Sequence, residues 1–293
     1  MSGGTQGQSP GPKMEVRIMR ALKQLFHFGW EQALSCLFPV VIFASLALTK
    51  IIPLPFLPRY DWLLIICIVM QWWMVRSGLE TRDELKVITL FHLIGLALEL
   101  FKTHMGSWSY PEEGYFKIFG VPLYSGFMYA SVASYLCQAW RRLNVDLVKW
   151  PPFWLVVALA AAIYLNFFTH HFWIDVRWYL TVLVMVVFWK SWVTYEINGT
   201  HYRMPIALSF MLIGFFIWIA ENIATFFGAW EYPNQAKAWS LVHLGKVSSW
   251  VLLVIVSFLI VATLKQVKGK NSTRITTSHF YKKSCGNMSS TKI

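Results

Sequence analysis

Two carboxylates stand where a charge is expensive. Glu99 opens the segment ELFKTHMGSWSYP, which ends a long apolar run at Pro111, and Glu221 opens ENIATFFGAWEYP, which ends a second such run at Pro233. At one constant offset the pairs Glu99/Glu221, Thr103/Thr225, Gly106/Gly228, Trp108/Trp230, Tyr110/Tyr232 and Pro111/Pro233 are identical. A carboxyl group inside a bilayer costs on the order of 3 kcal/mol, so each must be protonated, paired, or turned toward a wet cavity between helices. In the first state it can give a proton to an alkene or steady a carbocation. In the last it can form part of a solute or ion path.

Partners for such chemistry are available nearby. His92 precedes Glu99 by seven residues, two turns along one helical face, while His243 and Lys246 enter the last apolar run at a depth similar to Glu221. Thr103 and Thr225, four residues after their glutamates, share a face with them. The run after Gly120 brings Tyr124, Ser125, Tyr129 and Ser131 in from the same side. Trp108, Tyr110, Trp230 and Tyr232 are rings that settle at the headgroup level, and with Tyr124 and Tyr129 they are the candidate substrate-lining residues. Ion pairing of the glutamates with His92, Lys102, His243 or Lys246, purely for packing, is the plainer alternative. No metal or cofactor is expected: His170-His171 with Asp175 sits at a run end where solvated polar residues belong, and no Gly-rich phosphate loop, nucleophile elbow or cysteine redox pair occurs. The four cysteines, none in a close pair, support neither a disulfide framework nor a zinc site.

The elements that must position these groups follow from composition. With 56% hydrophobic, 17% aromatic and 14% charged residues, the chain has the make-up of an all-α, polytopic integral membrane protein. Apolar runs predict eight spans: Ala33 to Pro53, Asp61 to Arg76, Val87 to Thr103, Gly120 to Trp140, Pro152 to Phe168, Val176 to Tyr195, Met204 to Phe227 and Trp239 to Leu264. Of the 26 Lys and Arg residues, 19 fall on the side of the termini and 7 on the other, which places both termini in the cytoplasm of a cell-membrane protein. The net charge of +12 is this topological bias plus attraction to anionic headgroups, and calls for the bilayer rather than nucleic acid as partner. The basic stretch Lys13 to Phe26 reads first as a positive flank and second as an amphipathic surface helix. Trp62, Trp73 and Glu80 also line up with Trp178, Trp189 and Glu196, so the domain, residues 31–265, reads as two parallel four-helix repeats of about 31–150 and 151–265. Residues 1–30 form a cytoplasmic segment and 266–293 a basic tail, both expected to be wholly or partly disordered. The third and seventh spans are expected to face each other, so that Glu99 and Glu221 line a common central region.

At full length the chain resembles a bacterial membrane family, number 817 among the domains of unknown function. The resemblance rests on FGWEQ (Phe28 to Gln32), RSGLETRDELKVI (Arg76 to Ile88), FHLIGLALELFKTHMGSWSYPE (Phe91 to Glu112), GVPLYSGFMYASVASY (Gly120 to Tyr135) and IAENIATFFGAWEYPNQ (Ile219 to Gln235), and implies a polytopic membrane protein. Glu99, Gly106, Trp108, Tyr110 and Gly120-Val-Pro-Leu123 are also similar in order to the membrane carotenoid cyclases and hydratases, of which the cyclases carry an acidic pair where this chain has Tyr124 and Ser125. That likeness implies acid chemistry on an isoprenoid-like lipid. A transporter of a small solute or cation, and a structural or accessory protein, are the other readings.

Overall fold

Residues 12–263 are described by a computed structural model, their side chains from Glu15 onward. The expected disorder of residues 1–11 and 266–293 lies outside these described residues. Helix α1 (Pro12–Ser35) breaks at Cys36 and meets α2 (Leu37–Ile51) at 67°. The basic N-terminal stretch is therefore a helix in its own right, not only a flank of the first span. Its apolar side chains, among them Ile18, Leu22, Leu25 and Phe26, stand exposed between lysines and arginines.

Helix α3 (Arg59–Arg76) is followed by α4 (Arg82–His104), whose start is fixed by a capping box: the Thr81 hydroxyl accepts from the Glu84 N–H and the Glu84 carboxylate accepts from the Thr81 N–H. A short hairpin of β1 (Lys117–Ile118) and β2 (Val121–Pro122) leads into α5 (Tyr124–Arg142). Then come β3 (Asp146–Val148), α6 (Phe153–Thr169), α7 (Arg177–Val187), β4 (Trp192–Ile197), β5 (Thr200–Pro205), α8 (Ile206–Phe226), a 3-10 turn (Pro233–Gln235) and α9 (Lys246–Thr263).

The molecule is thus mostly helical but not all-α, and the sixth expected span is where the expectation fails. Its helix stops at Val187, and residues read as membrane helix up to Tyr195 belong to β4. Strands β3, β4 and β5 make an antiparallel sheet, with Ile197 opposite Thr200. Asn198 and Gly199 both take positive φ, 47° and 71°, the geometry of the two-residue hairpin turn that Asn-Gly favours. The β-branched and aromatic residues on either side then pair rather than continue the helix.

Each of the eight expected spans contains one helix, α2 to α9. By length and composition, however, only α8 and α9 among the described residues are long and apolar enough to cross a membrane, or three units if the bent α1–α2 pair counts as one. The eight-span expectation is not met on that measure. Helices α4 and α5 have the length, but their buried faces carry Glu84, Glu99 and Lys102, and Ser125, Ser131, Ser134 and Gln138. Helices α6 and α7 are apolar but short, at 17 and 11 residues.

Three hydrophobic clusters hold the bundle together among the described residues. One joins α5, α6, α7, α8 and α9 around Phe188, Phe210 and Ile255; a second joins α2 and α3 to the loops after α4 and α8 around Phe38, Tyr60 and Tyr124; a small third joins α4 to α5 through Ile88, Phe91, Ala130 and Ala133. Helices α4 and α5 touch closely at Gly95, where a Cβ would meet the Tyr129 ring at 2.4 Å, and α8 and α9 at Gly214, where a Cβ would meet Val251 at 2.7 Å.

Candidate functional site

Helices α4 and α8 end alike. Gly106 and Gly228 take φ of 69° and 71°, which glycine adopts without strain, and the chain reverses. The same pair of backbone bonds closes each turn: Gly106 N–H to Thr103 O and Ser107 N–H to Lys102 O in the first, Gly228 N–H to Thr225 O and Ala229 N–H to Ala224 O in the second. The reversal decides the site. Trp108, Tyr110 and Tyr232 do not continue outward as headgroup anchors more than two turns beyond the glutamates; they fold back onto them.

Glu99 is 4% exposed. Its Oε2 accepts from the Trp108 indole N–H at 2.6 Å and the Tyr110 hydroxyl at 2.7 Å, and its Oε1 accepts from the Tyr129 hydroxyl of α5 at 2.9 Å. Glu221 is 2% exposed, with Oε1 on the Tyr232 hydroxyl and Oε2 on the Trp250 indole of α9 at 2.6 Å. Each carboxyl therefore has one oxygen fixed by an indole, which can only donate, and the other on a phenol, which can donate or accept. Burial, and next the adjoining carboxylate, hold the Tyr110 and Tyr232 phenols well above their ordinary pKa, so they remain proton-bearing donors.

The two return loops are joined to each other. Ser109 and Glu231 exchange both N–H···O bonds at 2.9 Å in an antiparallel bridge, and the Trp108 and Tyr232 rings meet edge to face at 5.9 Å. Arg59, at the start of α3, donates to the Gly228 carbonyl at 3.2 Å and the Glu112 carboxylate at 2.8 Å, anchoring the end of α8.

Both carboxylates reach one cavity of about 730 Å³, a size ordinary for a small-molecule site. It runs along α8 from Ser209 to Ala224, about 22 Å at 1.5 Å per residue, between α8, α5 and α9 on one side and α1 and α2 on the other. Its walls are almost wholly apolar. Val40, Leu212, Phe216 and Ile223, which line it, are 41–64% exposed, so the slot is open along the side between α2 and α8. Trp108, Tyr129, Trp230 and Tyr232 close its end beside the glutamates.

A second chamber of about 110 Å³ adjoins the first. Lys102, Arg177, Lys246, Asn166, Ser107 and Ser249 give it a polar lining, and Trp108, Tyr129, Glu221, Tyr232, Trp250 and Leu253 belong to both cavities. Lys246 lies over the Tyr232 ring at 4.7 Å and the Trp108 ring at 5.4 Å.

Not every expected partner arrives. His92 packs on Phe127 at 4.4 Å and against Gly126, with Nδ1 unpartnered, and does not reach Glu99: seven helical residues share a face but are about 10 Å apart along the axis. His243 lies exposed in the loop before α9, its Nδ1 accepting from the Gly245 N–H at 3.0 Å, because that helix begins only at Lys246. Tyr124 donates to the Ala229 carbonyl and packs on Tyr60 at 5.2 Å, holding a loop rather than lining a cavity. Thr225 accepts from the Trp239 indole and donates to the Asn222 carbonyl, and Thr103 has no partner among the described residues, so neither threonine holds its glutamate. Lys102 turns from Glu99 to the Phe167 carbonyl at 3.0 Å and the His171 ring at 2.8 Å. The His171 imidazole is pushed down to about 4, by loss of solvent first and then by Lys102 and His170. No group of three His, Cys, Asp or Glu side chains converges on a metal position among the described residues.

Trp250 is a functional group that the sequence does not single out, and Lys102, expected only as an ion-pair partner of a glutamate, faces the other way. Trp250 follows Glu221 by 29 residues, almost the interval from Glu99 to Tyr129, and that spacing was the available signal.

No solved structure matches the chain significantly. It is 84% identical over 256 residues, 87% of this chain and 97% of the relative, to "Uncharacterized protein YoaT" of Bacillus subtilis (strain 168). Neither this relative nor the family match bears on the likeness to carotenoid cyclases. Residues 24–258, the stretch that carries both return loops, both glutamates and nearly all of the slot, match the family described as "Protein of unknown function (DUF817)", and the chain belongs to that family.

Proposed function

We propose that the protein is a multi-pass membrane enzyme that draws one long, isoprenoid-like chain from the bilayer into the slot and holds an alkene against Glu99 or Glu221. The observation that carries this reading is the slot itself: long, apolar, open between α2 and α8, and ending at two hydrogen-bonded carboxyl groups. In this reading α2 to α9 form the membrane domain as two parallel repeats with both termini cytoplasmic, and α1 lies along the surface with its apolar side chains in the lipid. The polar faces of α4 and α5 turn inward, which is how a helix of modest mean hydropathy spans a bundle.

The chemistry follows from the bonding. An indole can only donate, so a proton on either carboxyl sits on Oε1, toward Tyr129 or Tyr232. Transfer of that proton to an alkene carbon leaves a carboxylate and a carbocation, which the Trp and Tyr faces steady. Loss of a neighbouring proton back to the carboxylate returns a rearranged alkene and restores the acid. A carrier for a small cation is disfavoured, because the polar chamber beside the carboxylates is lined by three cations.

The test is to run the purified protein in deuterated buffer with a membrane extract rich in unsaturated lipids. One deuterium gained by a lipid alkene, absent with Glu99→Gln and Glu221→Gln, is the expected result. A lipid profile identical with and without protein counts against an enzyme.

A further inference from the structure

We propose that the small chamber beside the slot is a phosphate-binding site, built to hold the phosphate headgroup of the amphiphile whose chain fills the slot. The inference deepens the proposed function and rests on it for the chain. The headgroup argument rests on charge.

Lys102 is 3% exposed, and among the described residues neither Lys102 nor Lys246 has a carboxylate within ion-pair distance. A buried ammonium is ordinarily paired, since its desolvation is otherwise uncompensated. Here Lys102 has a carbonyl, two imidazoles, His171 at 2.8 Å and His170 at 3.4 Å, and the face of Phe167 at 4.1 Å, none of them an anion. Lys246 rests on two aromatic faces, with Glu221 its nearest opposing charge. Arg177 is half neutralised: its Nε meets Asp175 at 2.5 Å, while an NH1 donates to the Ser249 hydroxyl at 3.2 Å. All three side chains line one chamber with Ser107 and Ser249, and Glu221 is the anion on its wall. The lining thus carries a surplus of positive charge and of donors, the recognition pattern for a tetrahedral oxyanion.

Size and position complete the argument. At about 110 Å³ the chamber admits a phosphate but not a chain, whereas the adjoining slot at about 730 Å³ admits a chain and offers a phosphate almost no donors. Trp108, Tyr129, Glu221, Tyr232, Trp250 and Leu253 form the common boundary, so a ligand headed into the chamber lays its first carbons against the two carboxyl groups.

The experiment uses the full chain in detergent and follows the fluorescence of the boundary tryptophans. Three probes are titrated: a C15 alkyl phosphate, the C15 alcohol, and inorganic phosphate. The expected result is that the alkyl phosphate binds at least ten-fold more tightly than the alcohol, and that Lys102→Met and Lys246→Met each abolish that preference while leaving alcohol binding unchanged. Lys102→Arg keeps the charge and should keep the preference, which separates lost charge from lost packing; if Lys102→Met does not fold, Lys246→Met decides alone. Equal affinity for alcohol and alkyl phosphate overturns the headgroup site and leaves the slot reading standing. Inorganic phosphate binding as tightly as the alkyl phosphate supports the oxyanion site and overturns its assignment to a lipid. Binding of no probe overturns the headgroup site and the slot reading together.

Discussion

Glu99 and Glu221 each present two oxygens to indole and phenol donors, and this sets what substitution at either position must do. In Glu99→Gln the amide oxygen still accepts from Trp108 and Tyr110, while its NH2 donates to the Tyr129 oxygen, so all three contacts are kept and only the Tyr129 O–H proton loses its acceptor. The variant should fold with a Tm within a few degrees of wild type and lose turnover. Glu99→Leu leaves one indole and two phenols unpaired in the interior, at about 1–3 kcal/mol each, and should fail to yield folded protein. Detergent-extracted yield and thermal unfolding of the two variants side by side make the comparison. A collapse of Glu99→Gln as severe as that of Glu99→Leu would mean that the negative charge is a structural requirement. Trp250→Phe, which removes a single donor from Glu221, should cost about 1.5–3 kcal/mol if the carboxyl is ionised and about 1 kcal/mol if it is protonated. That difference makes it a probe of the proton as well as of the bond.

Between elements, two glycine contacts hold each carboxyl's helix to its donor's helix. A Cβ at Gly95 meets Tyr129 Cγ at 2.4 Å and Cβ at 2.6 Å, atoms that tilting the ring does not move, and a Cβ at Gly214 meets Val251 backbone nitrogen at 2.9 Å as well as its side chain at 2.7 Å. Gly95→Ala and Gly214→Ala should therefore each destabilise, by at least the roughly 1–3 kcal/mol usual for overpacking, and Gly95→Ala should also disturb the Tyr129–Glu99 bond. Thermal unfolding makes the measurement, and either variant as stable as wild type would contradict the packing described. At the end of α6, His170 and His171 are both held below the ordinary imidazole pKa, first by desolvation and then by Lys102. The unfolded chain binds protons near pH 6.5 that the folded His171 refuses until about pH 4. This contribution to stability is complete above pH 6.5 and is lost as pH falls through that window. It is small because the ring is largely exposed. A His171→Asn variant should show a shallower fall in Tm between pH 6.5 and 4 than wild type. The helices themselves were legible because apolar runs bounded by Pro, Gly and charge leave little choice, and the two Glu and Gly-x-Trp-x-Tyr-Pro segments were legible as a repeated spacing, though not that their aromatics bond the glutamates. The inward turn of Trp108 and Tyr110 was not, since an aromatic after a helix serves equally as an anchor or a ligand until the Gly106 turn is known. The hairpin at Asn198-Gly199 was hidden inside hydrophobic sequence that fits a short helix or a strand equally well.

At the scale of the whole molecule, the bridge between Ser109 and Glu231 joins two segments 122 positions apart in the chain, and it draws the ends of α4 and α8 together over the slot. In the first segment Glu99, Trp108 and Tyr110 meet Tyr129 of α5; in the second Glu221 and Tyr232 meet Trp250 of α9, so the two return loops occupy corresponding places about their meeting point. Residues that exchange both backbone bonds in an antiparallel pair have Cα atoms about 5.5 Å apart, inside the window of about 4.4–6.8 Å that a disulfide spans. Both side chains lie at an exposed or half-exposed edge, on the side expected to face the cell exterior. In a variant lacking the native cysteines, Ser109→Cys with Glu231→Cys should cross-link under mild oxidation in intact cells, because both thiols meet the oxidising side. Asn198→Cys, on the exposed β4–β5 turn at the opposite end, should resist a membrane-impermeant thiol reagent that labels Ser109→Cys alone. Cross-linking with labelling at 198 and not at 109 would keep the bridge and invert the orientation. Failure to cross-link, with both single variants folded and labelled, would separate the two loops and with them the shared end of the slot.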